Sequence, residues 1–104
     1  MSRKIQRSII QNLDRIYRTA VTVSKSFDQK AISPKVLKYC IQLGKLEKES
    51  DNEIIHEFIE YQNAMLDELY KNCVNYMTEI EADKVSFSYL RLAIQTLKKE
   101  IFKS

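Results

Sequence analysis

"EADKVSFSYLRLAIQ", residues 81–95, is the stretch on which the fold turns. A polar turn runs into one β-branched residue, Val85. Two serines able to cap a helix follow, and then the apolar block Leu90, Leu92, Ala93 and Ile94 opens a closing helix from about Ser88 to Phe102. One strand-like residue between two helical segments is too little for a sheet of its own.

The segment before it is the longest helix in the chain. Ile54, Ile55, Phe58, Ile59, Met65, Leu66, Leu69, Tyr70, Cys73, Val74, Tyr76, Met77 and Ile80 keep helical spacing. The run covers about 28 residues, or roughly 40 Å. Its apolar residues come in adjacent pairs, which widens the stripe enough for cover from two sides. This spine has few partners among the remaining short segments. Before it, Ser33 and Pro34 start a short helix through Val36, Leu37, Cys40 and Ile41. Gly44 is suited to a left-handed stop. The linker that follows is polar except for Leu46, and Asp51 or Asn52 can cap the spine. Leu46 and Val85 are thus single apolar residues in two loops, and the expectation is that each pairs with a loop of a second chain.

Residues 1–31 read as a separate amphipathic helix. Ile5, Ile9, Leu13, Ile16, Ala20, Val23 and Phe27 form one narrow stripe. Residues 1–36 carry eight basic residues against Asp14 and Asp28, a net +6, and the rest of the chain is −3. Such a basic arm suits a solvated packing face, an acidic partner, an acidic membrane surface or nucleic acid, with Arg3, Lys4, Arg7, Arg15 and Arg18 as the possible phosphate contacts. One glycine and one proline leave little turn chemistry for strands, so the expected class is all-α. Cys40 and Cys73 match no metal or redox spacing and read as buried thiols. No apolar run reaches the ~20 residues of a membrane span and no signal core opens the chain, which predicts a soluble intracellular protein.

Short helix, loop, long helix, loop, closing helix is the layout of the histone fold. Residues 33–97 resemble it, most nearly the histone-fold TBP-associated factors of TFIID and SAGA. "LRLAIQ" (90–95) is similar to the family's third-helix motif, and "SPKVLKYCIQLG" (33–44) to its first helix. The chain departs from that pattern at Tyr89, where the family carries an aspartate, and at Ala82 or Asp83, where it carries the matching arginine. The resemblance implies a histone-fold domain over 32–104 that forms an obligate heterodimer with a second histone-fold protein. It implies a nuclear interaction subunit of a larger transcription initiation or coactivator complex. The implied interface is Val36, Leu37, Cys40, Ile41, Leu46, Ile55, Phe58, Ile59, Met65, Leu66, Leu69, Cys73, Met77, Val85, Leu90 and Ile94. A histone-fold pair on DNA at centromeres or in repair is one alternative. A self-contained four-helix adaptor is the other.

No catalytic or cofactor site emerges, and the expectation is that the chain is not an enzyme. Glu53 and His56 have half of a di-iron spacing, but His56 is the single histidine. Glu57 and Glu60 lie one turn apart with nothing nearby to separate their pKa values. The first loop (Lys45, Glu47, Lys48, Glu49) is neutral in sum and the second (Glu79, Glu81, Asp83, Lys84) is acidic, which argues against wrapping DNA on the fold itself. Tyr61, Tyr70, Tyr76 and Tyr89 have helical spacing and read as packing residues before base-stacking platforms.

Overall fold

The computed structural model describes residues 2–46 and 52–103. Helix α1 (Arg3–Ser26) leads through β1 (Ala31–Ile32) into α2 (Pro34–Gly44). Helix α3 (Glu53–Glu79) leads through β2 (Val85–Ser86) into α4 (Phe87–Lys103). The class is all-α, with one two-stranded antiparallel pair. Neighbours around the bundle run α1, α2, α3, α4, so the two long helices sit on a diagonal.

The capping chemistry is local. Ser33 accepts from the Val36 amide at 3.2 Å with Pro34 at the first helical position, and Asn52 accepts from Ile54 and Ile55. Asp51, the other proposed cap, lies outside the described residues, as do Glu47, Lys48 and Glu49 of the first loop. Helix α4 begins one residue before Ser88, because Ser86 Oγ takes the Tyr89 amide at 3.1 Å.

Two expectations are corrected. Val85 does not need a second chain for its strand: Ile32 of the same chain faces it in an antiparallel register. Gly44 is not left-handed either. Its missing Cβ serves close packing, since a Cβ there would stand 3.0 Å from Ile16 Cδ1 on α1. The left-handed stops fall instead at Asp28 (φ 56°) and Glu81 (φ 55°). At each, the next amide reaches back to close the helix: Gln29 to the Ser24 carbonyl and Ala82 to the Met77 carbonyl, both at 2.9 Å.

These two stops belong to a larger regularity. Residue 28 plus 53 is 81, and the same offset relates the two halves of the chain throughout. The buried residues of α1 are Gln6, Ile9, Leu13, Ile16, Ala20 and Ser24. Adding 53 to each gives Ile59, Gln62, Leu66, Leu69, Cys73 and Met77, the buried set of α3. Leu37, Cys40 and Ile41 of α2 map to Leu90, Ala93 and Ile94 of α4, all buried. The caps Ser33 and Ser86 correspond, as do the strand residues Ile32 and Val85, which pair with each other. In sequence, "LDRIYRTAV" (13–21) overlies "LDELYKNCV" (66–74). The chain is two helix–strand–helix hairpins related by a pseudo-twofold axis at the Ile32–Val85 pair.

That symmetry explains the spine. Its two sides are covered by α2 and α4, with α1 across the core, so one hydrophobic core draws on all four helices. The buried polar groups are tied within it: Gln6 Nε2 donates to the Ile101 carbonyl at 3.0 Å and Ser24 Oγ to the Ala20 carbonyl at 2.7 Å. No buried side-chain polar atom lacks a partner among the described residues.

Candidate docking groove

The symmetry is broken at one place. Helix α2 stops at Gly44, whereas α4 runs on past the equivalent Leu97 and buries Ile101. Where α2 stops, a groove opens between α1 and α2 and reaches the first turns of α3. Ser8, Gln11 and Arg15 of α1 form one wall, Leu43 and Gly44 the end of α2, and Leu46 and Phe58 the far side.

Its floor is held by amide side chains. Asn12 Nδ2 donates to the Gly44 carbonyl at 2.9 Å, and Gln62 Nε2 reaches the same oxygen at 3.5 Å, so the orphan end of α2 is satisfied. Asn63 grips the backbone of Leu46 twice. Its Oδ1 accepts from the Leu46 amide at 3.1 Å and its Nδ2 donates to the Leu46 carbonyl at 3.0 Å. Lys45 is anchored beside it on Asp67 at 2.5 Å. Both polar groups of the Leu46 backbone are thus hydrogen-bonded, while its side chain is 41% exposed.

More apolar surface adjoins. Leu43 is 63% exposed and Ile54 68%, with Ile55 half-exposed. Ile54 and Phe58 are one helical turn apart on α3, so they share a face. Phe58 is the equivalent of Ile5, and both are half-buried.

The interface residues expected from the resemblance divide sharply. Leu37, Cys40, Ile41, Ile59, Leu66, Leu69, Cys73, Met77, Val85, Leu90 and Ile94 are buried inside this chain, and Val36, Phe58 and Met65 are half-buried. Leu46 and Ile55 stand exposed. Sequence reasoning did not single out Leu43 as apolar surface, nor place Ile54 outside the core. The available signal was that Leu43 lies off the Leu37–Cys40–Ile41 stripe.

The remaining candidates fall elsewhere. Arg3, Lys4, Arg7, Arg15 and Arg18 are all exposed on α1, along the side opposite its buried stripe. Tyr76 and Tyr89 stack with ring centroids 3.7 Å apart and planes 5° from parallel, which staples the end of α3 to the start of α4. Tyr61 and Tyr70 pack on the core margin. His56 Nε2 lies 3.2 Å from Glu60 Oε1 on the surface. Burial pushes the Cys40 thiol up and the Cys73 thiol up to about 11, so neither is an activated nucleophile. Among the described residues no group of three His, Cys, Asp or Glu is placed to hold a metal ion, and no helix is long and apolar enough to cross a membrane.

No family model matches the chain, and neither a curated protein nor a solved structure does.

Proposed function

We propose that the chain is a non-catalytic interaction protein, a self-contained four-helix adaptor that docks a partner at the open end of α2. The observation that carries this reading is Leu46, whose backbone is clamped by both ends of the Asn63 amide while its side chain faces solvent. A backbone held before binding has less entropy to lose on binding. Covering Leu43, Leu46, Ile54 and Ile55 contributes at most ~1.5–3 kcal/mol each before association costs are met. The test is co-purification from the native cell with the wild-type chain, Leu43→Glu and Ile54→Glu. Each change sits on the surface and is expected to leave the melting temperature unchanged. A partner lost with both variants supports the reading, and one retained by both contradicts it.

A second reading is the histone-fold subunit of a transcription initiation or coactivator complex. It is supported by the lengths and order of α2, α3 and α4, with 11, 27 and 17 residues, and by the "LRLAIQ" resemblance. On this reading a second histone-fold chain replaces α1 on the Leu66–Leu69–Cys73 stripe. Amide exchange then separates the two: α1 amides from Ile9 to Ala20 lose protection in the complex if the partner replaces α1, and keep it if the partner docks at the groove. The DNA-binding form of this reading requires charge reversal at Arg3, Lys4, Arg7, Arg15 and Arg18 to flatten the salt dependence of duplex binding.

A further inference from the structure

The pseudo-twofold axis supplies an internal control for charge. It relates the seam between α1 and α4 to the seam between α3 and α2, so packing makes the same demands on both. The bridge from Asp14 to Lys98 on the first seam recurs as Asp67 to Lys45 on the second. What differs is arginine. Arg3, Arg7, Arg18 and Arg91 line the α1–α4 seam, and their counterparts at the same offset are His56, Glu60, Lys71 and Lys38. The chain holds one other arginine, Arg15, which lines the groove toward α2. Packing therefore does not account for four arginines on one seam.

The four fall in two clefts along the seam. Arg18 and Arg91 line one with Gln95 and Lys98, and Arg3 and Arg7 line the other with Ile10 and Phe102. All four arginines are exposed, and among the described residues none of them is ion-paired. The one acid in either cleft, Asp14, is already engaged by Lys98 at 2.6 Å. Arg7 and Arg18 both lie on α1, about 16 Å apart along its axis. A single small anion cannot reach both clefts, whereas a chain with a phosphate at every repeat does. Guanidinium groups also suit phosphate, which they bind through two parallel hydrogen bonds.

Phe102 separates the kinds of polyphosphate. It is 67% exposed beside Arg3 and Arg7. A ring set among cations stacks an unpaired base, while the bases of a duplex already stack on one another. An anionic membrane fits less well, because the apolar stripes of α1 and α4 are both spent on the core and leave no face to insert. We propose that the seam between α1 and α4 binds single-stranded nucleic acid, with phosphates on Arg3, Arg7, Arg18 and Arg91 and a base on Phe102. This surface shares no lining residue with the docking groove on the other side of α1, so the two stand or fall separately.

The test is fluorescence anisotropy of the full chain with a labelled oligothymidylate, and with a duplex of the same length, over a series of salt concentrations. The oligothymidylate is expected to bind more tightly, with log K falling against log salt at a slope of about −3, from four contacts at ~0.7 each. Arg18→Gln and Arg91→Gln should each make the slope shallower by about 0.7. Phe102→Ala should weaken binding on the order of tenfold and leave the slope unchanged. Lys38→Gln and Lys71→Gln, at the twofold-equivalent positions, should alter neither. Equal losses at Lys38 and Lys71 would spread the binding over the whole surface and overturn the seam. A duplex bound as tightly, with no effect of Phe102→Ala, would overturn the single-stranded assignment. No binding of the oligothymidylate, or its displacement by poly-glutamate at matched charge, would overturn nucleic acid as the ligand.

Discussion

Lys98 of α4 holds Asp14 of α1 at 2.6 Å, and the same pair recurs with the halves exchanged, Lys45 at the end of α2 holding Asp67 of α3 at 2.5 Å. Residues 45 and 98, and 14 and 67, are each 53 apart. Each bridge crosses from one hairpin to the other, which is the reciprocity of an isologous twofold contact. The chain makes within itself the kind of contact that symmetric dimers make between subunits.

The two bridges are partly exposed, so each is expected to contribute little, in the range of ~0.2–1 kcal/mol. Double-mutant cycles with Asp14→Asn and Lys98→Met, and with Asp67→Asn and Lys45→Met, measured by urea unfolding, should give coupling energies that agree within about 0.5 kcal/mol. Coupling at one pair and none at the other would contradict their equivalence.

Ile32 and Val85 are both fully buried and face each other on the axis. Ile32→Val alone should cost ~0.5–1.5 kcal/mol and Val85→Ile alone ~1–3 kcal/mol. The double exchange restores the volume across the axis and should cost less than the sum of the two. Additive or worse behaviour in thermal unfolding would show that the pair does not share one packing site.

Both long helices end on a non-glycine residue at positive φ, Asp28 and Glu81. A left-handed residue with a Cβ is disfavoured by about 1–2 kcal/mol, against roughly 0.5–1 kcal/mol of extra chain entropy for glycine. Glu81→Gly should therefore stabilise the protein by about 0.5–1 kcal/mol. Asp28→Gly should give less, since aspartate tolerates this conformation better. A drop in melting temperature for Glu81→Gly would be the wrong sign.

Much of this was legible in the sequence. The helical stripes, the Ser33–Pro34 start of α2 and the Asn52 cap of α3 follow from spacing and capping chemistry alone. The partner of Val85 was not legible, because a strand of two residues carries no alternation. Gly44 was read for its backbone freedom, whereas the residue that needs the space, Ile16, lies 28 positions earlier on another helix. The repeat itself is visible when "LDRIYRTAV" is set over "LDELYKNCV". Reading each stripe separately hides it, since Ala20 against Cys73 and Ser24 against Met77 preserve burial but not residue type. The docking groove was the least legible part, because it exists only where the second half has a helix turn and the first does not.

The Cys73 thiol links stability to alkaline pH. Below the ordinary thiol range, folded and unfolded chains both hold the proton, and the thiol adds no pH dependence. Above it the unfolded chain loses the proton while the folded chain keeps it up to about 11. Stability should therefore fall as pH rises through that window, by ~3 kcal/mol at most from this group. Cys73→Ala, matching Ala20 in the other half, should flatten that portion of the profile. A slope unchanged by the substitution would assign it to other groups.

The central claim is that one chain completes its own core by pairing its two hairpins. Sedimentation equilibrium combined with urea unfolding across a wide protein concentration range tests it most directly. The account predicts a species of 12.3 kDa with an unfolding midpoint independent of concentration. A species of twice that mass, with a midpoint that rises with concentration, would contradict it and place part of the core on another chain.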